Sequence, residues 1–299
     1  MKYVAPVADP AEVAALAEAG ADELYCGYLS REWRARYGDH ESVSRRQGTA
    51  NVLEEAVFAA LVVEARRCGL PLYLTVNGRY TEPQLDYLVA LCQRFEGLGG
   101  TGLQICDLGL LARLVGQTNL RLCLSLLANA QNVCALEFYR DFGTGRVVFP
   151  RGLGPDRIGE LLAPFPGLEG EFMALFDKCP FIDGYCRFYH GNAYLDAEQS
   201  APSAAPITSF DTTYRTHSCV ALLGEPPNFF PCAACALADF EAAGAGFAKI
   251  GGRGTPLAHR IRGLRFLREA ADCAGDEERQ QLYRQTWNVA CNCYYGARL

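Results

Sequence analysis

A chain of 299 residues, half of them hydrophobic, is long enough for one large domain or two small ones around a sizeable core. A formal net charge of −6 and an isoelectric point near 5.4 argue against a generic polyanion binder, which would carry a basic footprint; Arg31, Arg34, Arg36, Arg45 and Arg46 are a local exception. No leader-like apolar run follows Met1 and no stretch approaches about 20 apolar residues, so the expectation is a cytoplasmic chain without a membrane span, its cysteines reduced or metal-bound.

Short β-type runs alternate with amphipathic helices along most of the chain. Residues 2–8 read as a strand, and a helix opens at Asp9-Pro10, an N-cap followed by a first-turn proline, and ends at Gly20. Residues 23–27 are the second strand, and 28–48 a polar, arginine-rich loop long enough for function. A helix over 53–68 carries Leu53, Val57, Leu61 and Ala65 on one stripe. Strands follow at 71–77, 102–107, 120–127, 146–150 and 168–175, with helices at 82–96, 110–116, 132–142 and 156–162 between them. A cysteine-bearing insertion over 176–246, with a sparsely hydrophobic stretch at 196–210, precedes a last strand at 247–250 and a closing helix at 256–273. Eight strands with intervening helices predict an α/β fold, a (β/α)8 TIM-barrel-like single domain over 1–299 with the insertion before its last strand. The doubly wound rival lacks a G-x-G-x-x-G fingerprint after the first strand.

The fourteen cysteines divide in two. Cys26, Cys68, Cys92, Cys106, Cys123, Cys134 and Cys273 stand singly, as small buried hydrophobes often do. Cys179, Cys186, Cys219, Cys232, Cys235, Cys291 and Cys293 crowd the last two fifths. Cys232-x2-Cys235 places two sulfurs within reach of one metal, and Cys179-x6-Cys186 follows the seventh strand, on the face where barrels keep their sites. Spacing leaves zinc and an iron–sulfur cluster both open: His190 and His217 are near enough in sequence to complete a zinc site, whereas ligands from dispersed loops suit a cluster. Neither a G-x-S-x-G elbow nor an H-E-x-x-H signature occurs. Gly251-Gly252-Arg253-Gly254 forms a candidate anion cradle after the last strand, and Arg46, Arg151 and Arg253 together suit a small dianion, because guanidinium forks bind carboxylates bidentately.

Several separated motifs resemble one family. Gly20-Ala21-Asp22-Glu23-Leu24-Tyr25-Cys26-Gly27 is similar to its GAD-x-hydrophobic-Tyr-x-Gly strand. Arg46 and Asn51 stand like the Arg and Asn before its next helix, and Arg146-Val147-Val148-Phe149-Pro150-Arg151 resembles R-V-V-L-P-R. Cys179-x6-Cys186 matches its paired cysteines, and Lys249-Ile250-Gly251-Gly252-Arg253 is similar to K-I-E-G-R, with Gly251 in the glutamate position. In this order they resemble the collagenase-like U-32 peptidase family. The resemblance implies a barrel with a [4Fe-4S] cluster and, despite the peptidase label, hydroxylation without molecular oxygen. The acceptors it implies are uridine in tRNA, cytidine in ribosomal RNA or the ubiquinone ring, with prephenate as hydroxyl source. It implies Cys179, Cys186, Cys219 and Cys232 or Cys235 as ligands, with Cys291 and Cys293 supplying another ligand or a second site. Arg46, Arg151 and Arg253 would bind a prephenate-like small-molecule donor, and Lys249, Asn51 and Asn77 are the catalytic candidates that orient the substrate. The rival expectations are a noncatalytic cluster-bearing subunit, paired as a heterodimer with a paralogue, and a true protease. The acidic balance disfavours an RNA substrate.

Overall fold

The computed structural model describes residues 1–38, 43–46, 50–176, 184, 231–291 and 293–295. Eight parallel strands close into a barrel: β1 (Lys2–Pro6), β2 (Glu23–Cys26), β3 (Leu72–Val76), β4 (Gly102–Ile105), β5 (Arg121–Leu124), β6 (Thr144–Val148), β7 (Glu169–Leu175) and β8 (Phe247–Ile250). Each pairs with its sequence neighbour, and β8 returns to β1 through Lys2↔Phe247, Tyr3↔Ala248 and Val4↔Lys249. No edge is left unpaired, which is how a barrel satisfies its backbone groups. The expected fold class is therefore observed, and seven of the strands differ from the sequence reading only at their ends. Nothing is described for most of the expected insertion, since 177–183 and 185–230 lie outside the described residues.

The helices are α1 (Val13–Glu18), α2 (Arg31–Tyr37), α3 (Glu55–Arg67), α4 (Glu82–Leu98), α5 (Leu108–Leu114), α6 (Val133–Arg140), α7 (Pro155–Leu162), α8 (Leu237–Ala242), α9 (Leu257–Asp272) and α10 (Asp276–Trp287). Their apolar stripes pack on the outward faces of the strands. In α3 the buried set is Phe58, Leu61, Val62 and Ala65, spaced at three and four residues, and a fully buried Phe or Leu stabilises by about 1.5–3 kcal/mol. Asp9 caps the first turn through Ala11 N, with Pro10 following it, as expected, although that turn is a 3-10 turn leading into α1. Gly263 lets α9 lie close on the barrel, since a Cβ there would meet Leu175 Cδ2 at 2.6 Å.

Besides α8, which lies within the expected insertion, two helices depart from the expectation. The stretch 28–48 contains α2, and the chain does not close with α9 but continues into α10. Both are polar helices held by one or two aromatic anchors. Trp33, fully buried, sits among the rings of Tyr37, Tyr80 and Tyr87 while Ser30 Oγ accepts from Trp33 N at 2.9 Å. Tyr283 and Trp287, four residues apart, pack against Phe266 of α9. One or two anchors give too few apolar residues for a periodic pattern to register.

Inside the barrel, Val4, Tyr25, Tyr73, Cys123, Val148 and Phe247 meet as an inner cluster. Beside them lies a charged plug where barrels usually place branched aliphatics. Arg146 donates from Nη1 to Glu23 at 2.5 Å, from Nη2 to Glu23 at 3.1 Å and from Nε to Glu169 at 2.9 Å. Glu171, fully buried, lies 3.4 Å from Arg146 Nη1 and accepts from Lys249 Nζ at 2.8 Å. The Arg146 guanidinium also covers the Phe247 ring at 3.5 Å. Burial opposes its charge, yet the hydrogen bonds it donates to Glu23 and the charge of Glu171 hold it protonated well above the ordinary arginine range.

A cationic cavity at the carboxyl end of the barrel

Strands alternate inward and outward residues, so a polar side chain at an inward position near a strand's carboxyl end enters the mouth of the barrel. A cavity of about 90 Å³ there is bounded by the inward residues Tyr25, Thr75, Gln104, Val148, Met173 and Lys249. Its rim carries Arg45, Arg46, Asn77, Ser125, Arg151 and Arg253. A larger groove of about 490 Å³, outside the barrel along α9, contains none of the expected site residues. The chemistry is therefore sought in the smaller space.

Of the expected donor-binding residues, Arg46, Arg151 and Arg253 all line this cavity, together with Lys249 and Asn77. Arg45, noted in the sequence only as part of a basic patch, joins them. Among the described residues the lining contains five cations and neither Asp nor Glu. Lys249 is answered from below by Glu171 and lies over the Tyr25 ring at 3.9 Å, while Tyr25 donates its hydroxyl hydrogen to Ile250 O at 2.8 Å.

Polar braces hold the arginine loop over the barrel. Asn77 Oδ1 accepts from Arg45 N at 2.9 Å, and its Nδ2 donates to Ser125 Oγ at 3.0 Å. Tyr80 donates to Val43 O at 2.6 Å. Ser44 donates to Asn51 Oδ1 at 2.9 Å and accepts from Arg253 Nη1 at 3.1 Å, and Asn51 Nδ2 donates to Arg46 O at 2.8 Å. Asn51 is thus placed behind the cavity, where it ties the Arg46 loop to Arg253, and it is not among the lining residues. Gly27 is required here by close approach, because a Cβ at that position would collide with Asn51 Oδ1 and Arg253 Nη1. The turn after β8 uses Gly252 and Gly254 at φ of 82° and 81°, with Thr255 Oγ1 donating to Gly252 O at 2.7 Å.

Cys179, Cys186 and Cys219 lie outside the described residues. Cys232 forms an antiparallel bridge with Leu175, the last residue of β7, and a parallel bridge with Cys293, and Tyr294 N donates to Cys232 O at 2.7 Å. Cys293 and Tyr294 therefore return to the same end of the barrel as Cys232. Burial pushes the Cys232 thiol up to about 12 and the Cys235 thiol up to about 11, so both are protonated near neutrality unless a cation takes them as thiolates. Among the described residues, no group of three or more His, Cys, Asp or Glu side chains is placed to hold a metal ion. Cys232 and Cys235 fit a sulfur-ligated centre as a pair of donors that needs further ligands. Of the single cysteines, Cys26, Cys92, Cys106 and Cys123 are buried, and burial pushes the first three up to about 12, whereas Cys68 and Cys273 are half-buried and Cys134 is exposed. No described helix is long and apolar enough to cross a membrane.

Three participants escaped the sequence reading: Thr75, Gln104 and Glu171. Their signal was a polar residue at an inward position of an otherwise apolar strand, as in Leu72-Tyr73-Leu74-Thr75-Val76 and Gly102-Leu103-Gln104-Ile105.

Comparison with known proteins agrees with this architecture. The chain is similar to the structure of the U32 peptidase Mk0906, with a TM-score of 0.54 and 10% identity over 84% of this chain and 93% of that one. It is also distantly related to tRNA hydroxylation protein P of Haemophilus influenzae, 26% identical over 169 residues, 56% of this chain. That match spans about a third, 34%, of the Haemophilus influenzae protein. The model of peptidase family U32 matches residues 8–293, and the chain belongs to that family.

Proposed function

We propose that this chain is an iron–sulfur enzyme that hydroxylates its substrate without molecular oxygen, taking the hydroxyl group from a prephenate-like dicarboxylate. One observation carries the reading: among the described residues, the cavity at the barrel mouth is lined by Arg45, Arg46, Arg151, Lys249 and Arg253 and by no carboxylate. Low-dielectric walls concentrate the field of such a cluster on a small anion, and guanidinium forks match carboxylates in geometry. Lys249 has its charge balanced by Glu171, so its part is to present a fixed N–H donor beside Tyr25, while the arginines supply the net charge.

The residues that would hold a [4Fe-4S] cluster are Cys179, Cys186, Cys219 and either Cys232 or Cys235. The bridge between Cys232 and Leu175 supports this set, because Cys179 follows Leu175 by four residues, a reach of at most about 14 Å. When bound, such a cluster supplies single electrons at a potential set by its surroundings. The name of the Haemophilus influenzae relative makes tRNA the first acceptor to try.

The reading is tested by anaerobic calorimetric titration with prephenate. Arg151→Ala and Arg253→Ala should each weaken binding at least about tenfold, equivalent to about 1.4 kcal/mol, with cysteine-bound iron unchanged. Failure of the wild-type protein to bind prephenate, or affinities unchanged in both variants, would remove the donor assignment.

A further inference from the structure

We infer that Cys232 and Cys293 form an oxidation-sensitive dithiol, joined as a disulfide by hydrogen peroxide when no metal holds Cys232. The pair stands on the geometry of the chain alone. Its consequence, that the disulfide and a cluster compete for one sulfur, rests on the proposed reading of Cys232 as a cluster ligand.

Cys232 is held on both sides at the carboxyl end of the barrel. On one side it bridges Leu175, flanked by hydrogen bonds from Phe176 N to Pro231 O at 3.0 Å and from Ala233 N to Ala174 O at 2.8 Å. On the other it bridges Cys293 in parallel register, with Tyr294 N donating to Cys232 O at 2.7 Å. Segments paired in this way run about 4.7–4.9 Å apart, and directly opposed residues project to the same side. A disulfide needs Cα atoms roughly 4.4–6.8 Å apart, so side-chain rotation suffices to bring the two sulfurs together. The segment is also fixed beyond the pair. Tyr294 is buried, and Tyr295 donates its hydroxyl hydrogen to Met173 O at 2.9 Å and packs on the Phe240 ring at 4.8 Å.

The neighbouring thiols are directed elsewhere. Cys291 Sγ donates to Gln280 O at 3.6 Å, and the Cys235 thiol hydrogen-bonds the Asp276 carboxylate. Cys293 is half-buried and meets a small oxidant first, whereas Cys232 is buried and reacts second. The Cys293 sulfur attacks hydrogen peroxide and breaks its O–O bond, leaving a sulfenic acid and one water. The Cys232 sulfur then attacks the sulfenic sulfur and displaces its hydroxyl as a second water. Two thiols are oxidised to one disulfide while the peroxide is reduced to water. With its sulfur in that bond, Cys232 has no thiolate to offer a metal until a thiol reductant reopens it.

The test uses the full-length protein, prepared anaerobically and stripped of metal to graded extents. Each sample is treated with equimolar hydrogen peroxide, its remaining thiols are alkylated, and its tryptic peptides are read by mass spectrometry without reduction. In the stripped protein, fragment ions should assign a Cys232–Cys293 cross-link that dithiothreitol releases. Cys293→Ser should lose the cross-link, and Cys235→Ser should keep it. Absence of the cross-link, or one built on Cys235 or Cys291 instead, overturns the pair and leaves the cluster reading standing. Cross-link yield should fall as bound iron rises, because iron and the disulfide exclude each other at Cys232. A yield independent of iron content overturns the competition. If the anaerobic wild type carries no iron, the cluster reading fails and the competition with it, while the cross-link remains.

Discussion

Replacing Arg146 by methionine tests whether the charged plug beneath the cavity acts as one unit. The guanidinium is 3% exposed and makes two hydrogen bonds to Glu23, itself 4% exposed, and one to Glu169, with Glu171 at 3.4 Å. A pair of unit charges at about 3 Å interacts by roughly 5 kcal/mol at an effective dielectric constant near 20. Methionine takes the guanidinium off the Phe247 ring and leaves Glu23 without this partner, and removing one member of a buried pair costs about 3–5 kcal/mol. At about 2–4 °C per kcal/mol for large domains, the melting temperature should fall by roughly 6–20 °C. Urea unfolding gives the free energy through the shift in midpoint at constant slope. Adding Glu23→Gln should recover about 1–3 kcal/mol, because the stranded charge is then gone and the Glu171–Lys249 pair remains. The exposed Arg67–Glu64 pair is the control, and Arg67→Ala should leave the midpoint unmoved. A loss below about 1 kcal/mol for Arg146→Met, or a double variant no more stable than the single one, would refute the reasoning.

Two more outcomes follow from named contacts. Burial pushes the Glu12 carboxyl up, but hydrogen bonds and charge from Arg260 and the amides of Ala8 and Asp9 outweigh it and hold the group below the usual carboxylate range. A pKa lowered by folding stabilises fully above the unfolded value and is lost as the pH falls through the folded one. Arg260→Gln should therefore cost about 1.5–3 kcal/mol at pH 7, and the gap to wild type should narrow below about pH 4 in urea titrations; a gap constant with pH would contradict the assignment. Gly27→Ala should force Arg253 and Asn51 apart, destabilising by about 1–3 kcal/mol and weakening prephenate binding at least about tenfold, whereas wild-type affinity would show that the Gly27 approach does not set the Arg253 position.

Most of the barrel was legible because its signals are local and repeated. The strands are short apolar runs, and helices such as α3 carry several buried residues at helical spacing. The helices α2 and α10 were not legible, since Trp33 in the one and Tyr283 with Trp287 in the other do work that a periodic pattern assigns to many residues. At the site, Arg46, Arg151 and Arg253 were found from their positions after strands or beside glycines, and the structure gathers them around one cavity. Asn51 was read as facing the substrate, but its partners Ser44 and Arg46 are tertiary contacts within the loop, which spacing does not encode. Glu171 and Thr75 were missed for a related reason. A single polar residue in a strand means little until closure of the barrel shows which residue faces it.

The central claim is that the cysteines at the carboxyl end of this barrel hold a redox cluster beside an anion cavity. Anaerobic purification followed by iron and acid-labile sulfide determination tests it most directly. About four iron and four sulfide per chain, lost together in Cys179→Ala, is the result the account predicts. A protein carrying zinc or no metal would contradict it and reduce Cys232, Cys235 and their neighbours to a structural role.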